Sequence, residues 1–260
     1  MPLPAAACLQ AIARHSEGFA AAARDHLGAR VEHCPAWSVA DLVWHLTEVQ
    51  WFWATIAAER PSTPPDAVGR PVRPADSDLV AGFVDGAARL VDVLGSADPD
   101  AACWTWAPRH QNVGFIVRHQ VQEAAVHHWD AANAAGRTVG IEPAVAADAV
   151  DEFLDVSLDG TLDGALELRA ADTGDVWTVG ELAPPGPPSL LVAPGPAAAA
   201  ASAGPVTDPI SPAPVATAPP PVIEAQAADL LLWLYGRVPL DTRAVPAELL
   251  AAFRALTSTD

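Results

Sequence analysis

A chain of 260 residues with 51% hydrophobic side chains and a formal net charge of −18 holds enough apolar material for one large domain or two modest ones. That charge repels phosphate backbones and anionic lipid, which argues against nucleic-acid or membrane-surface partners. All 14 basic residues are arginine; without lysine there is no Schiff-base, pyridoxal phosphate or phosphate-loop chemistry.

Three cysteines, Cys8, Cys34 and Cys103, are odd in number and lack short paired spacing, so neither a disulfide framework nor a cysteine zinc finger is indicated. A reducing, cytoplasmic location is the expectation. The N-terminal stretch has no basic region of the secretory type, and no apolar run is long enough to span a bilayer.

In chain order, the first helix is expected over residues 5–28, with Gly28 as its stop and with His15 and His26 on its surface. A second helix starts at Ser38, whose hydroxyl can cap it with Asp41 as the reciprocal partner, and runs to Glu59 ahead of Pro61. His45 falls on its apolar stripe with Leu42, Leu46, Val49, Phe52 and Ile56. Taken alone, that position suits a buried core histidine as well as a ligand. Five prolines between 61 and 75 make a connector, and Asp76 or Ser77 caps a third helix ending near Leu94. Trp104 and Trp106 then lie in an aromatic loop that either roofs a pocket or packs over the helix ends.

The fourth helix, from about Asn112 to Ala135, carries a contradiction. Ile116, His119, Glu123, His127 and Asp130 step by three and four residues, so polar groups occupy a stripe that borders the apolar Val113, Val117, Val121 and Ala124. Burying an unpaired carboxylate costs several kcal/mol, about what a metal ion or charged partner can offset. Glu123 and His127, four apart, project from one face as two ligands of one ion must. His45 is the candidate third ligand, and three N/O ligands leave a fourth position open, the pattern of a catalytic zinc site. His119 and Asp130 lie a turn beyond and are either partners that orient a ligand imidazole or solvated helix-end groups. His128, about 100° around from His127, is not expected to share the metal. Beyond Gly136 the chain changes character: a helix over Pro143–Leu158, then a hairpin of Ala165–Ala170 and Val176–Val179 about Asp172-Thr173-Gly174-Asp175. Half the prolines fall between 184 and 221, a composition that favours extended or disordered backbone, and only part of the segment is read as a loop, with two strands of the second domain expected within it, for instance around Leu190-Leu191-Val192. Helices are expected again over Glu224–Gly236 and Pro246–Leu256.

Cys34-Pro35-Ala36-Trp37-Ser38-Val39-Ala40-Asp41-Leu42 with His45, then Glu123-x-x-x-His127-His128-Trp129-Asp130, then Leu230-Leu231-Leu232-Trp233-Leu234-Tyr235-Gly236-Arg237, together resemble the actinobacterial mycothiol-dependent maleylpyruvate isomerase family. The resemblance covers most of the chain outside 184–221. It implies an α+β fold: a DinB-like four-helix metal-binding bundle over 1–138, followed by a smaller, sterol-carrier-like α/β domain over 139–260. It implies zinc on His45, Glu123 and His127, mycothiol as co-substrate, Arg237 as a catalytic residue, and a small, anionic substrate. The reaction implied is cis–trans isomerisation by thiol addition, bond rotation and thiol expulsion. Three other readings stay open on the same scaffold: a mycothiol S-transferase, a metal-water hydrolase, and a non-catalytic metal- or ligand-binding protein.

Overall fold

The computed structural model describes residues 2–65, 69–158, 160–180 and 219–257. The proposed strand at Leu190–Val192 and most of the proline-rich segment lie outside the described residues. Four long helices come first: α1 (Ala5–Ala23), α2 (Val39–Glu59), α3 (Asp76–Ser96) and α4 (Val113–Ala134). Helix α1 packs on α3 and α4, and α2 packs on α3 and α4. Helix α5 (Pro143–Ser157) leads into β1 (Ala165–Ala170) and β2 (Val176–Gly180); β3 (Val222–Ala225), α6 (Ala227–Leu234) and α7 (Ala247–Leu256) follow. The architecture is α+β, as expected. Among the described residues no helix is long and apolar enough to cross a membrane.

The start of α2 follows its sequence closely. Ser38 accepts from the Asp41 N–H while Asp41 accepts from the Ser38 N–H at 2.9 Å, a complete capping box. The chain ahead of it explains why α1 stops at Ala23 and not at Gly28. The carbonyls of Leu27 and Ala29 accept from the N–H groups of Ala40 and Val39, so residues 24–29 serve the first turn of α2 instead of extending α1. Helix α3 differs from expectation at both ends. Neither Asp76 nor Ser77 is the cap: Ala75 holds that position without a side-chain bond, and the helix passes Leu94 to Ser96. Asp76 and Asp78 fall in its first turn, where their charge favours the helix dipole without capping geometry. Helix α4 is capped by Asn112, which accepts from the Phe115 N–H at 2.9 Å, and the chain leaves it through Gly136 at φ +67°.

The hairpin forms as read, with β1 antiparallel to β2. Strand β3, parallel to β1 on its other edge in the order β2-β1-β3, occupies residues whose local pattern continues into a helix. Long-range pairing decides it. The Glu167 and Ala171 N–H groups of the β1 edge donate to the carbonyls of Pro221 and Ala225, and leaving those donors buried and unpaired would cost more than shortening a helix. Helix α6 therefore begins three residues later than expected, its first N–H held by Asp172 of the hairpin turn at 2.9 Å.

Two apolar clusters fill the interior. One runs from Ile12, Trp53, Leu90 and Ile116 into Phe153, Leu168, Leu230 and Phe253, tying the long helices to the sheet and α6. The other, around Phe19, Val39, Leu42, Leu79 and Phe83, closes the far end of the helices. On α4 the first cluster reaches Val126 and the second begins at Ala131. The polar residues between them form a seam, and the candidate site lies along it.

Candidate metal centre

Helices α2 and α4 bring His45, Glu123 and His127 together so that one ligand atom from each lies within 4.8 Å of the others. The Glu123 Oε2 atom is 4.0 Å from His45 Nε2 and 3.6 Å from His127 Nε2. Those separations are too long for hydrogen bonds, and this buried oxygen has no other hydrogen-bond partner among the described residues. Two ligand atoms on a tetrahedral zinc stand about 3.3 Å apart, so the set needs only a small contraction to close on an ion. The donor set fits a divalent metal of the borderline kind.

Each imidazole is arranged to present Nε2. His127 Nδ1 donates to Asp130 Oδ2 at 2.9 Å, one turn along α4, which fixes its tautomer and ring plane. His45 lies against the Trp37 ring at 4.9 Å between centroids and edge-on to His127 at 5.3 Å. Burial, and then the charge of His127, push the His45 pKa down against the pull of Glu123, favouring the neutral form that can ligate.

A cavity of about 430 Å³ opens on the three residues, walled by Cys34, Trp37, Trp106, His119, Tyr235 and Arg237 among others. Trp106 therefore roofs the pocket, whereas Trp104 packs edge-on against Phe52 and the core. Arg237 reaches the cavity because Gly236, at φ +72°, ends α6 and the Arg237 N–H folds back onto the Leu232 carbonyl. Its guanidinium lies on Asp130, with Nε 3.1 Å from Oδ1 and Nη2 2.9 Å from Oδ2. Burial pushes the Asp130 carboxyl up, but the hydrogen bonds and charges of His127 and Arg237 outweigh it and hold it below its usual range.

His119 sits on the other side of Glu123, its Nε2 3.8 Å from Oε1 and its Nδ1 3.0 Å from Glu152 Oε1 on α5. Burial depresses its pKa, and the Glu152 hydrogen bond and charge more than reverse that. Tyr235 donates to Gln122 Oε1, and Gln122 Nε2 lies 3.1 Å from His119 Nδ1. Glu152, Gln122 and Tyr235 were not singled out in the sequence. Glu152 had a signal of the kind that exposed Glu123: a carboxylate, 1% exposed, on the same helix face as Val145 and Ala149.

Expectation and structure part company at His15. It is 3% exposed, not on the surface, with Nδ1 3.1 Å from His128 Nδ1 and Nε2 3.1 Å from Glu142. The alanine-rich stretch gives no face a clear polar character, so the local pattern could not place it. His128 turns its Nδ1 to His15.

The fold is an α+β arrangement of long helices with a small three-stranded sheet, and its candidate site is a His-Glu-His cluster opening on a cavity. Residues 8–132 match the family described as the mycothiol maleylpyruvate isomerase N-terminal domain, and that segment belongs to the family. Two solved structures share the fold. A crystal structure of the mycothiol-dependent maleylpyruvate isomerase aligns with a TM-score of 0.59 at 13% identity, covering 91% of this chain and 90% of that one. A histidine-to-alanine mutant of the mycothiol-dependent maleylpyruvate isomerase aligns at 0.60 with 12% identity and the same coverage. Against curated protein sequences nothing matches.

Proposed function

We propose that this protein is a metal- and mycothiol-dependent enzyme of the maleylpyruvate isomerase type, acting on a small anionic substrate with an activated double bond. The observation that carries the metal half is the buried, unpartnered Glu123 Oε2 between two imidazole Nε2 atoms. His45, Glu123 and His127 would hold a divalent ion, zinc foremost, at the wall of the cavity. Zinc bound there supplies a site that keeps a thiol ionised: a free thiol of pKa about 8.5 is only about 3% thiolate at pH 7, a penalty of about 2 kcal/mol.

The protein's own residues do the rest. Asp130 orients His127, Trp37 backs His45, and the Trp106 and Tyr235 rings wall the cavity so that little water competes for the reacting atoms. Holding thiol and alkene in one 430 Å³ space replaces an encounter in solution with a reaction between neighbours. The sulfur adds to the double bond, the resulting single bond turns, and the sulfur leaves, so the thiol is regenerated. Cys8, Cys34 and Cys103 are all free, which suits the reducing cytosol where such a thiol is kept reduced.

Cobalt substitution tests this reading. Adding mycothiol to the cobalt protein should produce a sulfur-to-cobalt band in the near ultraviolet, absent in Glu123→Ala, and product analysis should show an isomer with no net thiol consumption. A stable thioether product would turn the reading into S-transfer. Turnover of an ester or amide without thiol, and with no sulfur band, would sink both thiol readings in favour of hydrolysis.

A further inference from the structure

An arginine clamps a substrate carboxylate most firmly with two parallel N–H groups. Arg237 cannot do so in the geometry it holds. Of its five N–H donors, Nε and one on Nη2 serve the two oxygens of Asp130 at 3.1 and 2.9 Å, and one on Nη1 serves the Tyr235 carbonyl at 2.7 Å. The other Nη2 hydrogen faces Cys34 Sγ at 3.7 Å. One Nη1 donor remains, and the side chain is 10% exposed. The acceptor is as fully engaged as the donor. The Asp130 side chain is fully buried, and the same Oδ2 that takes the arginine takes His127 Nδ1 at 2.9 Å.

We propose that Arg237 is a positioning residue for the metal centre and not a clamp for the substrate. It fixes the Asp130 carboxylate, Asp130 fixes the His127 imidazole with its proton on Nδ1, and His127 Nε2 is thereby aimed at Glu123 and His45. The arginine comes from the turn after α6 and the histidine from α4, so docking of the C-terminal part of the chain supplies the support that holds the third ligand in place. An isolated helical part would carry His45, Glu123 and His127 without the group that holds the third in place. The assignment rests on the metal reading for its consequence, but the orientation of His127 belongs to the chain alone.

The test therefore reads both. In the metal-free full-length protein, ¹⁵N-detected histidine spectra should show His127 as a single Nδ1–H tautomer, and Arg237→Gln should shift it towards a mixture. In the same variant, affinity for zinc, measured by competition with a chelating dye, should fall about 10- to 100-fold. Arg237→Lys, which keeps the charge but offers no planar fork, should fall between. The decisive comparison is with Asp130→Asn: if the arginine acts through the aspartate, adding Arg237→Gln to Asp130→Asn should change zinc affinity no further. An unchanged His127 tautomer in Arg237→Gln overturns the proposal, as does full zinc affinity together with a raised KM for the anionic substrate, the signature of a clamp. If Arg237→Gln fails to fold, Arg237→Lys and the Asp130→Asn pair carry the same comparison. Should wild type bind no metal while the tautomer still responds to Arg237, the metal reading falls and the positioning role stands.

Discussion

Helix α4 carries two adjacent histidines that end in two clusters of the same composition and opposite character. His127 joins His45 and Glu123; His128 joins His15 and Glu142. Each cluster is two imidazoles and one carboxylate. In the second, every contact closes: His128 on His15 at 3.1 Å, His15 on Glu142 at 3.1 Å, and Glu142 on Arg14 at 2.6 Å. Burial, then the neighbouring His15 charge, hold His128 down to about 4, and burial lowers His15 against the pull of Glu142, so the two rings serve as a polar knot between α1 and α4. In the first, the central carboxylate oxygen lies 3.6 and 4.0 Å from its neighbours, bonds to none of them, and faces a cavity. Composition does not separate a candidate active centre from a structural knot. What separates them is whether the buried polar atoms have already satisfied one another.

The largest effect should come from breaking the open cluster. Glu123→Ala, and likewise His45→Ala or His127→Ala, should abolish metal binding, from about one divalent ion per chain to a trace, with activity lost in parallel. Elemental analysis of the purified variants reads it, and undiminished metal in Glu123→Ala would remove that residue from the centre. Glu142→Ala is the matched control, and its metal content should equal that of wild type.

Breaking the closed cluster should cost stability and leave metal alone. His15→Ala empties a buried site and strands the ring of His128, for an expected loss of about 2–3 kcal/mol in urea unfolding. Gly18→Ala tests the same contact more gently. A Cβ there would stand 2.3 Å from His128 Cε1 and 2.5 Å from its Nε2, so the imidazole must move and the knot loosen, for about 1–2 kcal/mol. If either substitution removed the metal, the two clusters would not be independent.

The smallest effect sharpens the comparison from outside both clusters. The Asp41 carboxyl is held down to about 2, by the Ser38 side-chain hydrogen bond first and by Arg73 next. A carboxyl with a folded pKa below its unfolded one adds stability that is complete above about pH 4 and is lost as pH falls towards 2. Asp41 is 37% exposed on its side chain, so screening leaves about 1 kcal/mol. Asp41→Asn should cost that much at pH 7 and only a small part of it at pH 2, with metal content unchanged at pH 7.

Local chemistry determined much of this protein. The capping box at Ser38, the Asn112 start and Gly136 stop of α4, and the hairpin about Asp172–Asp175 all form where the residues place them, because each depends on hydrogen bonds spanning a few positions. The misplaced polar stripe on α4 also announced Glu123 and His127, since helical spacing alone puts them on one face. Tertiary structure decided the rest, wherever the deciding partner is distant in sequence. Strand β3 exists because the β1 edge has N–H groups to satisfy some fifty residues away. Helix α1 ends early because its exit loop serves α2. His15 is interior because His128 and Glu142 meet it there. Arg237 looks like a free cation after a helix until Asp130, 107 positions earlier, accepts two of its donors. A sequence states which groups can bond; only the fold states which of them are left with something still to bind.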